Sequence, residues 1–225
     1  MTSFDQIAIF DLDGTLVDSV NQIAECLNRA RVDFGYSSKP ISYYKELIGL
    51  PVYDLISDIP VSGDSLNELI VSFRKYLTLD IQSGNNVLFP GVIEVLDLFS
   101  NMNIGLAIAT SKPTGIAAEV IKHTMIDSFK IHVQGTDQFP PKPDPEVILR
   151  VLRLYPGLPS FMVGDRTEDM HAARSAKIPC IGIAAGAHSE SKLKEAGASL
   201  TFESFQNFYQ NLKENASFLR RLTFS

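Results

Sequence analysis

Two aspartates follow directly on a short apolar run near the start of the chain. In "IAIFDLDGTLVDS" (residues 7–19), Asp11 and Asp13 are separated by a single leucine, so both side chains point to the same side of an extended chain. A solvated loop has no need of two carboxylates this close, and a protein core cannot hold them without partners. The pair is therefore a candidate for chemistry that uses carboxylates, such as proton transfer or cation binding.

Polar side chains also occur in three other segments that border predicted elements. Thr110 and Ser111 follow an apolar run in "AIATSKP", Asp165 and Asp169 lie in "VGDRTED", and Lys142 stands in "PPKPDP" ahead of a helical pattern. Aspartates that meet at one site repel each other strongly unless a cation lies among them. Because all-oxygen ligands with an open coordination sphere suit Mg²⁺, we predict Mg²⁺ as the cofactor.

The elements that must position these residues form an α/β pattern. Four short apolar runs have the composition of strands buried on both faces, and they lie at 7–10, 105–110, 161–164 and 180–185. Apolar residues at helical spacing lie between the later runs. Alternating strands and helices predict a Rossmann-like three-layer core with a parallel sheet. The carboxyl ends of parallel strands share one edge of the sheet, so the candidate residues should converge there.

The segment between the first two apolar runs differs, because nearly all of it has a helical pattern. Apolar residues fall at helical spacing from Ile23 onward and again from Leu66 onward. We predict an inserted all-helical cap domain over residues 17–86, which leaves 1–16 and 87–225 as the α/β core domain. The segment 203–225 should form an amphipathic closing helix and a tail.

Composition narrows the function classes. The net charge of −6 is unlike the basic surfaces of proteins that bind nucleic acids or anionic membranes, and no apolar run approaches the ~20 residues of a membrane span. We therefore expect a cytoplasmic protein that acts on a small molecule, with no nucleic-acid or membrane partner. Cys26 and Cys180 should be reduced core residues. The sequence gives no indication of the oligomeric state.

These motifs together resemble those of haloacid dehalogenase superfamily phosphatases with a helical C1-type cap inserted after the first strand. The resemblance rests on "DLDGTLVDS", on Thr110 after an apolar strand, on Lys142 in "KPDP" and on "GDRTED", and it extends over nearly the whole chain. Within the superfamily, "ATSKP", "LIGLPVYDL" and "IGIAAGAHSESKLKEAGAS" are most similar to phosphoglycolate phosphatases and their small-molecule relatives. The resemblance implies hydrolysis of a small phosphorylated metabolite.

The resemblance also implies roles for the acidic residues. Asp11 matches the nucleophile that forms an aspartyl-phosphate, and Asp13 matches the acid and base that protonates the leaving alcohol and then activates water. Mg²⁺ would be held by the Asp11 carboxylate, the Asp13 main-chain carbonyl and Asp165. Asp169 would hold a metal-bound water or orient the active-site lysine.

Substrate contacts are implied in the same way. Thr110 and Ser111 would bind phosphoryl oxygens, and Lys142 would pair with the phosphoryl group and with the nucleophile. In the cap, Lys45 and Gly49 of "KELIGLP" are candidates for substrate recognition.

Three residues in or near the motif "GDRTED" have no assigned role in the chemistry. Arg166 stands where relatives carry a small hydroxyl residue, and we expect it to form a solvated pair with Glu168. His188 lies in a loop beyond a strand end, from where it could approach the site.

Two other functions stay open on the sequence alone. One is a phosphomutase of the β-phosphoglucomutase type, although the segment 17–86 contains no histidine and Ile23 occupies the position where such mutases carry one. Their cap loop also carries an arginine, whereas "IGLPVYDL" (48–55) has no cation. The other is a catalytically inactive relative that binds a ligand or a partner.

Overall fold

The computed structural model describes residues 4–60 and 62–222 of the chain and shows one six-stranded sheet whose neighbouring strands are all parallel. The strands are β1 (Gln6–Phe10), β2 (Ile104–Ala109), β3 (His132–Gln134), β4 (Ser160–Gly164), β5 (Cys180–Ile183) and β6 (Leu200–Phe202). Their spatial order is β3-β2-β1-β4-β5-β6. The strand order reverses at β1, so its carboxyl end lies at the crevice where α/β sheets bind ligands.

Ten α-helices surround or extend this sheet within the described residues. They are α1 (Val20–Asp33), α2 (Ile41–Lys45), α3 (Val52–Leu55), α4 (Gly63–Gln82), α5 (Val92–Asn101), α6 (Thr114–Lys122), α7 (Glu146–Leu154), α8 (Thr167–Ser175), α9 (Glu190–Glu195) and α10 (Phe205–Asn215). In the same described ranges, two 3₁₀ helices cover Met125–Ser128 and Ala216–Arg221. In the part of the chain that the structure describes, no helix combines the length and the apolar character needed to cross a membrane.

The two faces of the sheet bury separate apolar clusters. Along β1, Ala8 and Phe10 belong to one cluster with side chains of α5, α6 and α10, while Ile7 and Ile9 belong to the other with side chains of α7, α8 and α9. Successive side chains of a strand point to opposite faces, so a strand covered on both sides is apolar throughout. The predicted three-layer α/β core with a parallel sheet is confirmed.

Helices α1 to α4, which we call the helical insertion, lie between β1 and α5 in the chain. Its longest helices, α1 and α4, pack against each other, and their buried side chains join the cluster that covers one face of the sheet. An isolated antiparallel bridge between Val17 and Leu88 lies where the chain leaves the core and returns to it. This bridge supports the division at residues 17 and 86, which we keep as a proposal.

The strand predictions need several corrections, of which the smallest is that β1 and β4 each begin one residue earlier than predicted. β3 and β6 were not predicted, because each has three residues, too few to show a periodic pattern. β2 begins and ends one residue earlier than predicted, and β5 ends at Ile183 rather than at 185. In the predicted closing segment, α10 is followed by a 3₁₀ turn, and residues 223–225 lie outside the described part. Cys26 and Cys180 are buried and unpaired, as predicted.

Candidate active site

Three buried carboxylates meet beyond the carboxyl ends of the two central strands. Asp11 follows β1, Asp165 follows β4, and Asp169 lies in the first turn of α8. Each offers an oxygen atom, and these atoms lie within 4.8 Å of one another. β1 and β4 are paired neighbours, so the sheet itself brings Asp11 and Asp165 together. We call these three residues the carboxylate cluster.

One buried lysine contacts the carboxylate cluster. Lys142 Nζ lies 2.7 Å from Asp11 Oδ1 and 2.5 Å from Asp169 Oδ1, and it donates to the Ala109 carbonyl at 3.0 Å. An ammonium group has three donors, and all three find an acceptor here. The lysine is therefore fixed in place, and it is the cation that contacts two of the three carboxylates, Asp11 and Asp169.

The pKa values of the buried groups follow from burial first and from neighbouring charges second. Burial raises the pKa of Asp11 to about 7, although the Lys142 charge acts in the opposite direction. Burial and the charge of Asp169 raise the pKa of Asp165 to about 6. Burial by itself would lower the pKa of Lys142, but Asp11 and Asp169 outweigh it and hold that pKa above its ordinary value. A further cation would favour the charged forms of Asp11 and Asp165.

Asp165 is held from several sides. Thr15 Oγ1 donates to its Oδ1 at 2.6 Å, and the Ala187 amide donates to its Oδ2 at 2.8 Å. Two glycines allow this approach: Gly14 has a φ of +83°, and a Cβ atom on Gly14 or Gly186 would collide with the Asp165 carboxylate. The backbone is thus shaped around a carboxylate of fixed orientation.

Asp13 does not belong to the carboxylate cluster but pairs with a second buried lysine. Lys112 Nζ lies 3.1 Å from Asp13 Oδ2, and both side chains are buried. Asp13 Oδ1 and Ser111 Oγ are buried and have no hydrogen-bond partner among the residues that the structure describes. The Thr110 hydroxyl accepts from the Lys112 amide at 3.2 Å. These polar atoms can accept or donate to a bound ligand.

A cavity of about 330 Å³ lies between these strand ends and the helical insertion. Its polar wall comprises Asp13, Thr110, Ser111 and Lys112. The opposite wall belongs to the insertion and is largely apolar, with Ile23, Leu50, Phe73 and Leu77. A polar mouth that faces apolar walls is typical of a small-molecule site.

The two predicted cap residues lie in different places. Gly49 lines the cavity, whereas Lys45 is exposed at the end of α2 and does not line it.

The expectation for Arg166 was wrong in one respect: the pair with Glu168 forms at 3.2 Å, but Arg166 is 3% exposed and is not solvated. His188 does approach the site, because its main-chain amide donates to the Asp165 carbonyl at 3.3 Å.

Sequence reasoning missed two residues of the site. Lys112 follows Thr110 at a spacing of two, which in an extended segment places both side chains on one side, so a signal was present. Thr15 stands in the "DGT" of the first motif, yet its bond to Asp165 joins residues 150 positions apart, and no local pattern indicates it.

One protein family model matches most of the chain. A family model described as haloacid dehalogenase-like hydrolase matches residues 8–183. The chain belongs to this family. The match includes the carboxylate cluster and most of the sheet, so the predicted family membership and the prediction of an enzyme are confirmed.

Relatives and solved structures agree with this assignment. The chain is 30% identical over 206 residues to the "Probable phosphatase IndB" of Dickeya dadantii, over 88% of this chain and 90% of the relative. It is 27% identical to a phosphoglycolate phosphatase of Pseudomonas syringae pathovar syringae, over 89% of this chain and 77% of the relative. The crystal structure of a hydrolase from Pseudomonas syringae is 27% identical with a TM-score of 0.78, over 94% of this chain and 100% of that chain.

Proposed function

We propose that this protein is a Mg²⁺-dependent phosphatase that hydrolyses a small phosphorylated metabolite through an aspartyl-phosphate. The observation that carries the proposal is the carboxylate cluster: three buried carboxylates with oxygens within 4.8 Å, contacted by one lysine. Such a site suits an anionic phosphate ester only when positive charge offsets the carboxylates. The family assignment and the names of the relatives support hydrolysis as the reaction class.

Asp11 is the proposed nucleophile. One of its oxygens pairs with Lys142, so the carboxylate is held in a fixed orientation at the end of β1. In the first step the new bond joins an Asp11 oxygen to phosphorus, and the bond between phosphorus and the alcohol oxygen breaks. The Thr110 hydroxyl would donate to a phosphoryl oxygen, and Lys142, whose three donors are already bound, would stabilise the developing charge through its own positive charge.

Asp13 is the proposed acid and base. It lines the cavity beside Thr110 and has one oxygen without a hydrogen-bond partner among the described residues, so that oxygen can contact a leaving group. Asp13 would give this proton to the departing alcohol. It would then take a proton from the water that attacks phosphorus and breaks the bond to Asp11.

The residues present fit a hard divalent cation, because every donor in the carboxylate cluster is an oxygen and the cluster carries more negative than positive charge. We propose that Asp11, Asp165 and the Asp13 main-chain carbonyl hold Mg²⁺. The bound ion would neutralise phosphoryl oxygens. Asp169 contacts Lys142 at 2.5 Å, which favours the orienting role for this residue.

For the substrate we favour a phosphoglycolate-like monoester, because several relatives are named phosphoglycolate phosphatase. Ser111, with its unpartnered hydroxyl, and Gly49 would contact the ligand from opposite walls of the cavity. The exposed Lys45 is less suited to this role. The small-molecule partner and the cytoplasmic location stay proposals.

The test is phosphate release from a panel of phosphorylated metabolites, with Mg²⁺ and with a chelator. We expect release that requires Mg²⁺ and is fastest for short monoesters such as 2-phosphoglycolate. Absence of release from every ester, with Mg²⁺ present, would favour the inactive relative instead.

The phosphomutase alternative has less support in the structure. Ile23 lines the cavity where mutases resembling this chain carry a histidine. Two cations do line the cavity, but Lys112 is paired with Asp13, and Arg74 is exposed. Incubation with glucose 1-phosphate and a trace of the bisphosphate should yield inorganic phosphate. If glucose 6-phosphate forms faster than inorganic phosphate, the protein is a phosphomutase rather than a phosphatase.

A further inference from the structure

Arg166 is a buried cation for which the proposed chemistry has no use. Its Nη1 donates to the Ile48 carbonyl at 2.8 Å, and its Nη2 donates to the Glu46 carbonyl at 3.0 Å. Both acceptors lie in the helical insertion, whereas Arg166 itself follows Asp165 at the end of β4. One side chain of the core thus binds main-chain atoms of the insertion through two donors.

The segment 46–50 is shaped to receive this side chain. Gly49 has a φ of +99°, and a Cβ atom at this position would lie 2.7 Å from Arg166 Cδ. Only glycine lets the main chain pass this close to the arginine stem without strain. Gly49 and Leu50 also line the cavity, so the segment that contacts Arg166 forms part of the ligand-facing wall.

The other end of Arg166 is joined to the carboxylate cluster. Its main-chain amide donates to Asp169 Oδ2 at 3.0 Å, and Asp169 Oδ1 contacts Lys142. The same residue therefore contacts the wall of the cavity through its side chain and the cluster through its backbone. A planar guanidinium with donors in a fixed fork can hold two carbonyls at once, which a lysine ammonium does less well.

We propose that Arg166 is a positioning residue that holds segment 46–50 of the helical insertion over the carboxylate cluster. The kinetic part of this inference rests on the proposed phosphatase function, but the structural part does not. Without the two hydrogen bonds, the cavity wall that includes Gly49 and Leu50 is no longer fixed relative to Asp165. Substrate binding then weakens, while the groups that carry out the chemistry keep their places.

The test compares Arg166→Lys and Arg166→Met with the control Arg153→Lys. Arg153 is an exposed arginine that pairs with Glu146, so the control makes the same exchange far from the proposed contact. Hydrogen–deuterium exchange is followed at the amides of Ile48 and Leu50, which donate to main-chain carbonyls within the insertion. We expect exchange in segment 46–50 about tenfold faster in Arg166→Met, less so in Arg166→Lys, and unchanged in the control.

Kinetics supply the second readout. We expect KM to rise about tenfold in Arg166→Met, with kcat within about threefold of the unmodified protein. Unchanged exchange in segment 46–50 would overturn the inference, as would a collapse of kcat at constant KM. If the unmodified protein releases no phosphate, the proposed function fails, yet the exchange experiment still decides whether Arg166 holds the segment.

A double-mutant cycle tests whether Gly49 and Arg166 act on each other directly. Gly49→Ala should speed exchange in segment 46–50, because the new methyl group displaces the arginine stem. In an Arg166→Ala background the same change should have a smaller effect, since only the backbone strain is left. Equal effects in both backgrounds would contradict direct contact.

Discussion

Aspartates occur both in the carboxylate cluster and in an ion-pair network of the helical insertion, but their pKa values shift in opposite directions. In the insertion, Arg31 binds Asp58 through two nitrogens at 2.8 and 2.9 Å, and Lys39 Nζ lies 3.0 Å from the same carboxylate. The hydrogen bonds from Arg31 lower the pKa of Asp58 to about 2, whereas burial raises the pKa of Asp11 to about 7.

The two sites differ first in burial and then in the balance of charge. Asp58 has two cations for one carboxylate and is partly exposed, so its charged form is stabilised without further help. The carboxylate cluster has one lysine for three carboxylates, and all four groups are buried. Two arrangements that both look like ion pairs therefore differ in charge balance: the charge of Asp58 is compensated by its cations, whereas the charges of the carboxylate cluster are compensated only in part, which is typical of functional sites.

The largest expected contrast is in activity. Asp11→Asn should lower kcat/KM by at least about 10³-fold, because the amide keeps the shape but loses the nucleophile and a proposed metal ligand. Asp58→Asn is the matched control, and its activity should stay within about twofold. Phosphate release by both variants would be measured after circular dichroism shows that they are folded. Substantial turnover by Asp11→Asn would remove the proposed nucleophile.

Next in size is the effect of Asp13→Asn, which changes the carboxylate paired with Lys112. We expect kcat to fall by about 10²–10⁴-fold, because an amide cannot move the proton that both steps need. Steady-state phosphate release with an excess of substrate measures this loss. A variant as fast as the unmodified protein would mean that another group moves the proton.

Stabilisation of the protein by Mg²⁺ should depend on the carboxylate cluster and not on Asp58. Mg²⁺ at about a hundred times its dissociation constant should raise the free energy of unfolding by about 2.7 kcal/mol. Asp165→Asn should abolish this gain, whereas Asp58→Asn should keep it. The melting temperature with and without Mg²⁺ checks this directly. A gain of the same size in Asp165→Asn would place the ion elsewhere.

The smallest expected effect concerns pH and the insertion. The folded pKa of Asp58 is depressed, so its contribution is fully present above the ordinary aspartate pKa of 3.8 and is lost as the pH falls toward about 2. Because this side chain is 23% exposed, we expect only about 1 kcal/mol. Urea unfolding of the unmodified protein and Asp58→Asn should differ by this amount at pH 6 and converge near pH 2. A constant difference would show that the charge of Asp58 is not responsible.

A feature could be predicted from the sequence when the residues that form it lie close together along the chain. The central strands were recognisable as uniformly apolar runs, and the aspartates at their ends stand in motifs a few residues long. The contacts of Arg166 join residues 118 and 120 positions apart, and no local pattern reveals them. Its burial was mispredicted for the same reason, since an arginine is buried only where distant partners accept its hydrogen bonds.

The edge strands β3 and β6 show a second limit. Each has three residues, and only one strand pairs with it, so the burial that makes central strands uniformly apolar is weaker there. The exposed Lys45 shows a third limit. A residue assigned by resemblance alone lies where the local backbone places it, and α2 directs this side chain into solvent.

The most direct test of the account is to trap the covalent intermediate. Asp13→Asn, with Mg²⁺ and a reactive phosphate monoester, is quenched in acid during turnover, and the peptide that contains Asp11 is analysed by mass spectrometry. We expect this peptide to gain the mass of one phosphoryl group, and Asp11→Asn to gain none. Phosphate release by the unmodified protein with no phosphoryl group on Asp11 in any sample would contradict the central claim that this carboxylate attacks phosphorus.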